Sequence, residues 1–206
     1  MVKRSEIVGV ILAGGKSKRM GKDKAFLTLK GKFFITYSLE KLKKIFDEVI
    51  IIVDDVNKFS FSGIKVFSDS IKDVGPLGGI YTALMNIKRD HAFIVPCDMP
   101  LFPIQAVKKI IRHSSKNKIT IGFSEKDIYP IFGVYPKKFK DDLENYILKG
   151  GRKVMEFIES FKEIKKVDLS EFKKYLINVN SPYDYKLIKK IFEYYDLFDN
   201  KFSSTL

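Results

Sequence analysis

What most constrains this chain is the alternation of short, β-branched apolar runs with stretches of helical periodicity. "IVGVIL" (7–12) is such a run, and "EVIIIV" (48–53), "IKVF" (64–67) and "AFIVP" (92–96) repeat its character. Between them, "FITYSLEKLKKI" (34–45) sets Ile35, Leu39, Leu42 and Ile45 at helical spacing, and "PLGGIYTALMNI" (76–87) opens with a proline suited to a first helical position. Strands this apolar have no face to offer to water, so helices must cover both sides of the sheet they form. The expected fold is therefore α/β: a single-domain, Rossmann-like layered fold, mostly parallel, with helices on both faces.

Beyond residue 100 the pattern continues. "PIQAVKKIIRH" (103–113) reads as a helix, and "KITIGF" (118–123) and "PIFGVYP" (130–136) as strands. The second of these is flanked by prolines, which predicts a place at a sheet margin. Helical patterns follow at 137–148, 152–160 and 182–195, with "EIKKV" (163–167) as a short strand between them. One domain over residues 1–206 is expected, its core at about 6–195 and a frayed tail at 196–206. The opening "MVKRSEIVGVILAGG" imitates a signal peptide, but its apolar run of about six residues is short of the usual 7–15 and leads into charge. No run approaches the roughly 20 apolar residues of a membrane span. The single cysteine, Cys97, excludes an internal disulfide, and a cytoplasmic location is the expectation.

A net charge of +13 raises the question of nucleic acid. The basic residues are spread from Lys3 to Lys201 and include only five arginines, the residue that reads bases and phosphates with two parallel hydrogen bonds. A lysine-rich solvated surface is the better reading, and no specific nucleic-acid partner is expected; such a surface still attracts a small anion. The segment after the first strand is more specific. Gly14 and Gly15 precede Lys16, Lys18, Arg19, Lys22 and Lys24. Neither the P-loop spacing G-x-x-x-x-G-K-[ST] nor G-x-G-x-x-G fits, because Gly15 stands where the P-loop lysine belongs. Backbone N–H groups around Ala13, Gly14 and Gly15 can nonetheless cradle an anion, with Arg19 and Lys24 adding charge.

At "LAGGKSKRMGKDK" (12–24) the chain resembles the nucleotidyltransferase signature of molybdenum cofactor guanylyltransferases, the MobA family. "SDSIKDVGPLGGIYTAL" (68–84), "IVPCDMPLF" (94–102) and "INVNSPYDY" (177–185) are similar to three further segments of that family, and "GGRKV" (150–154) is a weaker match. The resemblance implies a nucleotide-diphospho-sugar transferase-like fold. It also implies transfer of GMP from GTP to the terminal phosphate of Mo-molybdopterin, forming the guanine dinucleotide cofactor and releasing pyrophosphate. The implied cofactor is Mg²⁺. The implied partners are GTP, the pterin acceptor, and proteins that deliver the cofactor or receive it as apo-molybdoenzymes.

Carried over position by position, the resemblance implies that Leu12, Ala13, Gly14 and Gly15 meet base and phosphate through the backbone. Arg19 would hold the β- and γ-phosphates, and Lys24 the phosphate where charge develops. Asp98, at the carboxyl end of a predicted strand, would be the metal ligand and, with Lys24 and Arg19, the catalytic set. Asp69 would accept from guanine, ribose contact and turn capping being its alternatives, and Gly78 and Gly79 would let a helix start approach the base. Asn178, Asn180 and Arg152 would face the acceptor, although "NSPYD" is equally a helix entry with Ser181 as N-cap and Pro182 behind it. Asp54 stands where relatives often have asparagine, which leaves its role open. Cys97, His91 and His113 read as structural, and no zinc site or Ser–His–Asp triad can be assembled.

Three other functions compete. Cytidylyl transfer to the same pterin is disfavoured because such relatives tend to read L-A-A-G and lack G-P-L-x-G, whereas Gly14-Gly15 and Gly75-Pro76-Leu77 are present here. Transfer to a sugar phosphate or to 2-phospholactate is a second, and a non-catalytic nucleotide- or RNA-binding module is a third.

Overall fold

The computed structural model describes residues 1–14, 26–59, 63–161 and 164–203. Its centre is strand β1 (Ile7–Leu12), of which every residue is buried. Parallel neighbours flank it: β4 (Val49–Val53) on one side and β6 (His91–Pro96) on the other, with Leu12 level with both Ile52 and Pro96. Outside β4 lies β5 (Lys65–Ser68), also parallel. Beyond β6 the direction changes. Strand β8 (Asp127–Pro136) runs antiparallel to both β6 and β7 (Ile119–Ser124), and β9 (Ile164–Asp168) closes the edge parallel to β7. The order is β5-β4-β1-β6-β8-β7-β9, with four parallel and two antiparallel pairings.

The sheet's side chains alternate between two apolar layers. Ile7 and Ile11 pack with α1 (Phe34–Lys43) and α3 (Ile104–His113) through Leu39, Leu42 and Val107. Val8, Val10 and Leu12 face α2 (Pro76–Asn86), α4 (Lys140–Leu148) and α5 (Val154–Glu159) through Ile80, Leu143 and Phe157. Helices thus cover both faces, as the apolar strands require. Gly9 belongs to the first layer, where an added Cβ would lie 2.8 Å from the Phe46 ring.

A third apolar cluster ties the end of the chain to its beginning. A short hairpin, β2 (Thr28–Leu29) with β3 (Lys32–Phe33), packs Leu27 and Leu29 against Ile188 and Phe192 of α6 (Pro182–Ser203). Tyr185 Oη donates to the Thr28 carbonyl at 2.6 Å. The sequence reading misses this hairpin. Its strands are two residues long, and its turn, Lys30 and Gly31, has φ of 50° and 78°, a conformation that Asn-Gly or Asp-Gly usually announces. Among the described residues no helix is long and apolar enough to cross a membrane.

Two expectations are corrected. "PIFGVYP" is not at a margin: β8 lies between β6 and β7. Its first proline is accommodated because the β7–β8 register passes from Ile121↔Gly133 to Gly122↔Tyr129, leaving residues 130–132 bulged out of the ladder, where Pro130 has no N–H to lose. The Tyr135 hydroxyl donates to the Pro130 carbonyl and closes the bulge. At the other end, the helix expected over 182–195 continues to Ser203.

At Gly133 an added Cβ would sit 2.3 Å from the Thr120 carbonyl oxygen and 3.0 Å from Ile121 Cα, both backbone atoms of the neighbouring strand. Gly133→Ala is therefore expected to lower the unfolding free energy by about 1–3 kcal/mol, as overpacking does. Denaturant unfolding of the variant checks this, and wild-type stability would contradict the tight β7–β8 approach.

Candidate active site

The carboxyl ends of β1, β4 and β6 open into a cleft of about 750 Å³, where open α/β sheets bind their ligands. Its floor is fixed by the sheet's last backbone bonds. Ala13 N–H donates to the Ile52 carbonyl (2.7 Å) and Cys97 N–H to the Leu12 carbonyl (2.9 Å). Leu12, Ala13 and Gly14 line the cleft from β1. At Gly14 a Cβ would come within 2.5 Å of Asp54 Oδ1, so the glycine is the space that this carboxylate occupies. Gly15, Arg19 and Lys24 lie outside the described residues.

The start of α2 forms the second wall. Gly75 precedes it with φ +63° and ψ −147°, a conformation open to glycine, and Pro76 takes the first helical position. Asp69 follows β5, and its N–H donates to the Val53 carbonyl (2.8 Å). Its Oδ1 accepts from Ile71 N–H (3.3 Å) and from the Thr82 hydroxyl (3.2 Å), which in turn accepts from Ser70 N–H. The turn-capping alternative is thus realised, while Asp69 also lines the cleft. Burial pushes its carboxyl above the usual range and the nearby Asp54 charge adds to this, against the pull of its two donors. Gly78 is the space beneath it: a Cβ there would lie 2.6 Å from Asp69 Oδ1 and 2.2 Å from the Ile71 carbonyl. Gly79 lines the cleft and packs on Leu12.

Asp98 stands two residues beyond β6, half-buried at the cleft. Its carbonyl accepts from Val179 N–H at 2.8 Å, which draws the late segment 178–180 alongside. Val179 is buried in the third apolar cluster, and its exposed neighbours Asn178 and Asn180 line the cleft. The apolar residue between two asparagines therefore works as alternation does in a strand. The helix-entry reading holds as well. Ser181 Oγ accepts from Asp184 N–H (3.2 Å), and Asp184 Oδ2 accepts from Ser181 N–H (2.8 Å) and Asn180 N–H (3.0 Å), a reciprocal cap at the start of α6.

The fourth wall is the bulge of β8, with Ile128, Tyr129, Pro130 and Phe132 opening onto the cleft. Sequence reasoning misses it, since the only signal is the proline that breaks the ladder. Arg152 is not among the lining residues. Its guanidinium donates to the Ile147 (3.1 Å) and Gly151 (2.7 Å) carbonyls, where it closes the carboxyl end of α4. His91 is buried with Nε2 against the Lys116 carbonyl, and His113 Nδ1–H donates to the Lys109 carbonyl one turn back, both structural placements.

The charged residues described on the cleft walls are four carboxylates (Asp54, Asp69, Asp73 and Asp98) and one lysine, Lys72. Such walls suit hydrogen-bond donors and cations, whereas the positive charges of the glycine-rich motif belong to residues 15–25. Among the described residues no group of three or more His, Cys, Asp or Glu side chains could hold a metal.

Comparison with known proteins agrees with this architecture. The model of the MobA-like NTP transferase domain matches residues 9–166. A Clostridium perfringens protein named "Probable molybdenum cofactor guanylyltransferase" is 34% identical over 200 residues, covering 92% of this chain and 98% of its own. The structure of molybdopterin-guanine dinucleotide biosynthesis protein A from Archaeoglobus fulgidus superposes with a TM-score of 0.75 at 22% identity, over 90% of this chain and 98% of that one. Rv0371C from Mycobacterium tuberculosis, in complex with manganese, gives 0.67 at 15% identity, over 89% and 98%.

Because Asp69 titrates higher folded than unfolded, the folded state holds its proton more tightly, and this contribution falls away as pH rises from 3.8 through the folded-state value. Asp69→Asn keeps an acceptor for Thr82 and Ile71 without the desolvated charge. It is expected to melt at or above the wild-type temperature at pH 7, with the advantage closing below pH 3.8. Thermal scans across this range check the sign; an advantage that grows on acidification would contradict it.

Proposed function

The chain belongs to the MobA-like NTP transferase family, and from that premise we propose that it transfers GMP from GTP to the terminal phosphate of Mo-molybdopterin, releasing pyrophosphate. The observation that carries this reading is the Val179–Asp98 hydrogen bond. It brings the backbone of Asp98 alongside Asn178 and Asn180 at the cleft, which supports reading this strand end as the meeting point of a metal ligand and an acceptor element.

In this reading an acceptor phosphate oxygen attacks the α-phosphorus in line and pyrophosphate leaves. Bringing anions together is the main obstacle, and positioning with charge stabilisation supplies most of the help. Gly14 and Gly15 let phosphate approach the backbone, Arg19 holds the β- and γ-phosphates, and Lys24 faces the charge that develops in transfer. Asp69 accepts from the guanine donor edge across the cleft from Leu12 and Ala13. Asn178 and Asn180 orient the acceptor against the apolar wall of the β8 bulge. Asp98 would hold Mg²⁺, which supplies positive charge to the phosphates. The carboxylates of the walls other than Asp98 support a base rich in N–H donors, and so favour GTP over CTP. Arg152, occupied at the end of α4, is left out of the acceptor site.

Calorimetric titration with the four nucleoside triphosphates and Mg²⁺ is expected to give GTP the tightest binding, by about tenfold or more, the equivalent of roughly 1.4 kcal/mol. Equal or tighter binding of CTP would overturn the guanylyl assignment and leave the family intact.

Asp98→Asn nearly keeps the side chain's shape while removing its charge. Its rate of guanylyl transfer at saturating GTP is expected to fall about 10²–10³-fold, as when one preorganised charge-stabilising group is lost. Normal turnover of this variant at ordinary Mg²⁺ would remove Asp98 from the metal site.

A further inference from the structure

We infer that Lys41 is a positioning residue for Asp98, acting on the turn that carries it. The inference rests on the assignment of Asp98 to the reaction's metal. The run 41–44 contains three lysines, of which Lys43 and Lys44 are exposed, as helix α1 would have them. Lys41 is 5% exposed. Its Nζ donates to the Pro100 carbonyl at 2.6 Å and lies 4.8 Å from the centre of the Phe102 ring. One turn earlier on the same helix face, Ser38 is fully buried, and its Oγ has no hydrogen-bond partner among the described residues. The amine of Lys41 is therefore pressed against the chain immediately beyond Asp98.

That chain, "CDMPLFP", is poor in backbone donors, since Pro100 and Pro103 have none. Among the bonds that hold it, three come from three other parts of the fold. Cys97 N–H reaches the Leu12 carbonyl of β1, Val179 N–H reaches the Asp98 carbonyl from the late segment, and Lys41 reaches Pro100 from α1. Met99, Leu101 and Phe102 are buried, so an apolar side chain at 41 would satisfy the packing without the desolvation cost of an amine. What the amine adds is direction: it fixes the carbonyl two residues past Asp98 and so limits how far the turn can pivot. Lys41 touches neither substrate nor metal in this role.

Lys41→Met removes the donor and keeps the apolar stem. Hydrogen exchange is expected to quicken at the Val179 amide, whose acceptor is Asp98, while β1 amides such as that of Val10 keep wild-type protection. In the same variant kcat for guanylyl transfer should fall by about ten- to a hundredfold, as misplacement does, with GTP affinity within about twofold of wild type. Lys41→Arg, which still donates, should bring both readouts back towards wild type. If Lys41→Met does not fold, Lys41→Leu, which also lacks a donor, carries the same comparison. Wild-type exchange at Val179 in the donor-less variant, or acceleration spread equally over β1, would overturn the inference and make Lys41 an ordinary packing residue. If the wild-type protein prefers CTP, the guanylyl reading fails alone, and the Val179 exchange still decides the role of Lys41.

Discussion

The geometry of the cleft depends on a backbone bond between Val179 and Asp98. Everything upstream of it follows from β1, a strand with no surface facing water, which forces parallel neighbours on both sides and helices on both faces. Those neighbours end level with one another, which brings Gly14, the Asp69 turn and Asp98 to one edge. The sheet alone leaves that edge open. The segment 178–180 closes it, with Val179 anchored in an apolar cluster and an asparagine on either side turned towards the cleft.

Two glycines at the site serve carboxylates. Gly14 is where Asp54 fits, and Gly78 is where Asp69 fits. Neither works mainly through backbone freedom, as Gly75 does with its positive φ. For Asp69, packing against bare backbone goes with partial burial, which makes its carboxyl harder to ionise. A group in that condition gains from meeting an N–H donor, so a local cost in stability and a capacity for recognition come from the same packing.

Much of this was legible in the sequence. The run 7–12 coincides with β1, and Pro76 opens α2 as its position suggests, because a buried strand and a helix start are written in adjacent residues. "NSPYD" could be read as a helix cap, which Ser181 and Asp184 form, while the asparagines of "NVN" line the cleft. The failures share a physical cause: they depend on partners remote in sequence. Pro130 looked like a margin residue because a bulge in a central strand is visible only in the register with β7. Lys41 reads as one more surface lysine until Pro100 is found beside it. Gly15, Arg19 and Lys24 lie outside the described residues, so for them the motif alone speaks.

The closure of α6 over the β2–β3 hairpin has a consequence for biogenesis. The glycine-rich motif follows the first strand and leaves the ribosome early, and its flank on the far side is a hairpin that buries Leu27 and Leu29 against Ile188 and Phe192. Two-residue strands cannot hold such a hairpin together by themselves. Of the described elements α6 is translated last, and Val179 immediately precedes it. A segment made earlier thus waits on one made later: a nascent chain can assemble its sheet while synthesis continues, but its cleft has no finished wall until α6 emerges. A ribosome-bound intermediate would carry the motif of this family beside an unfinished cleft.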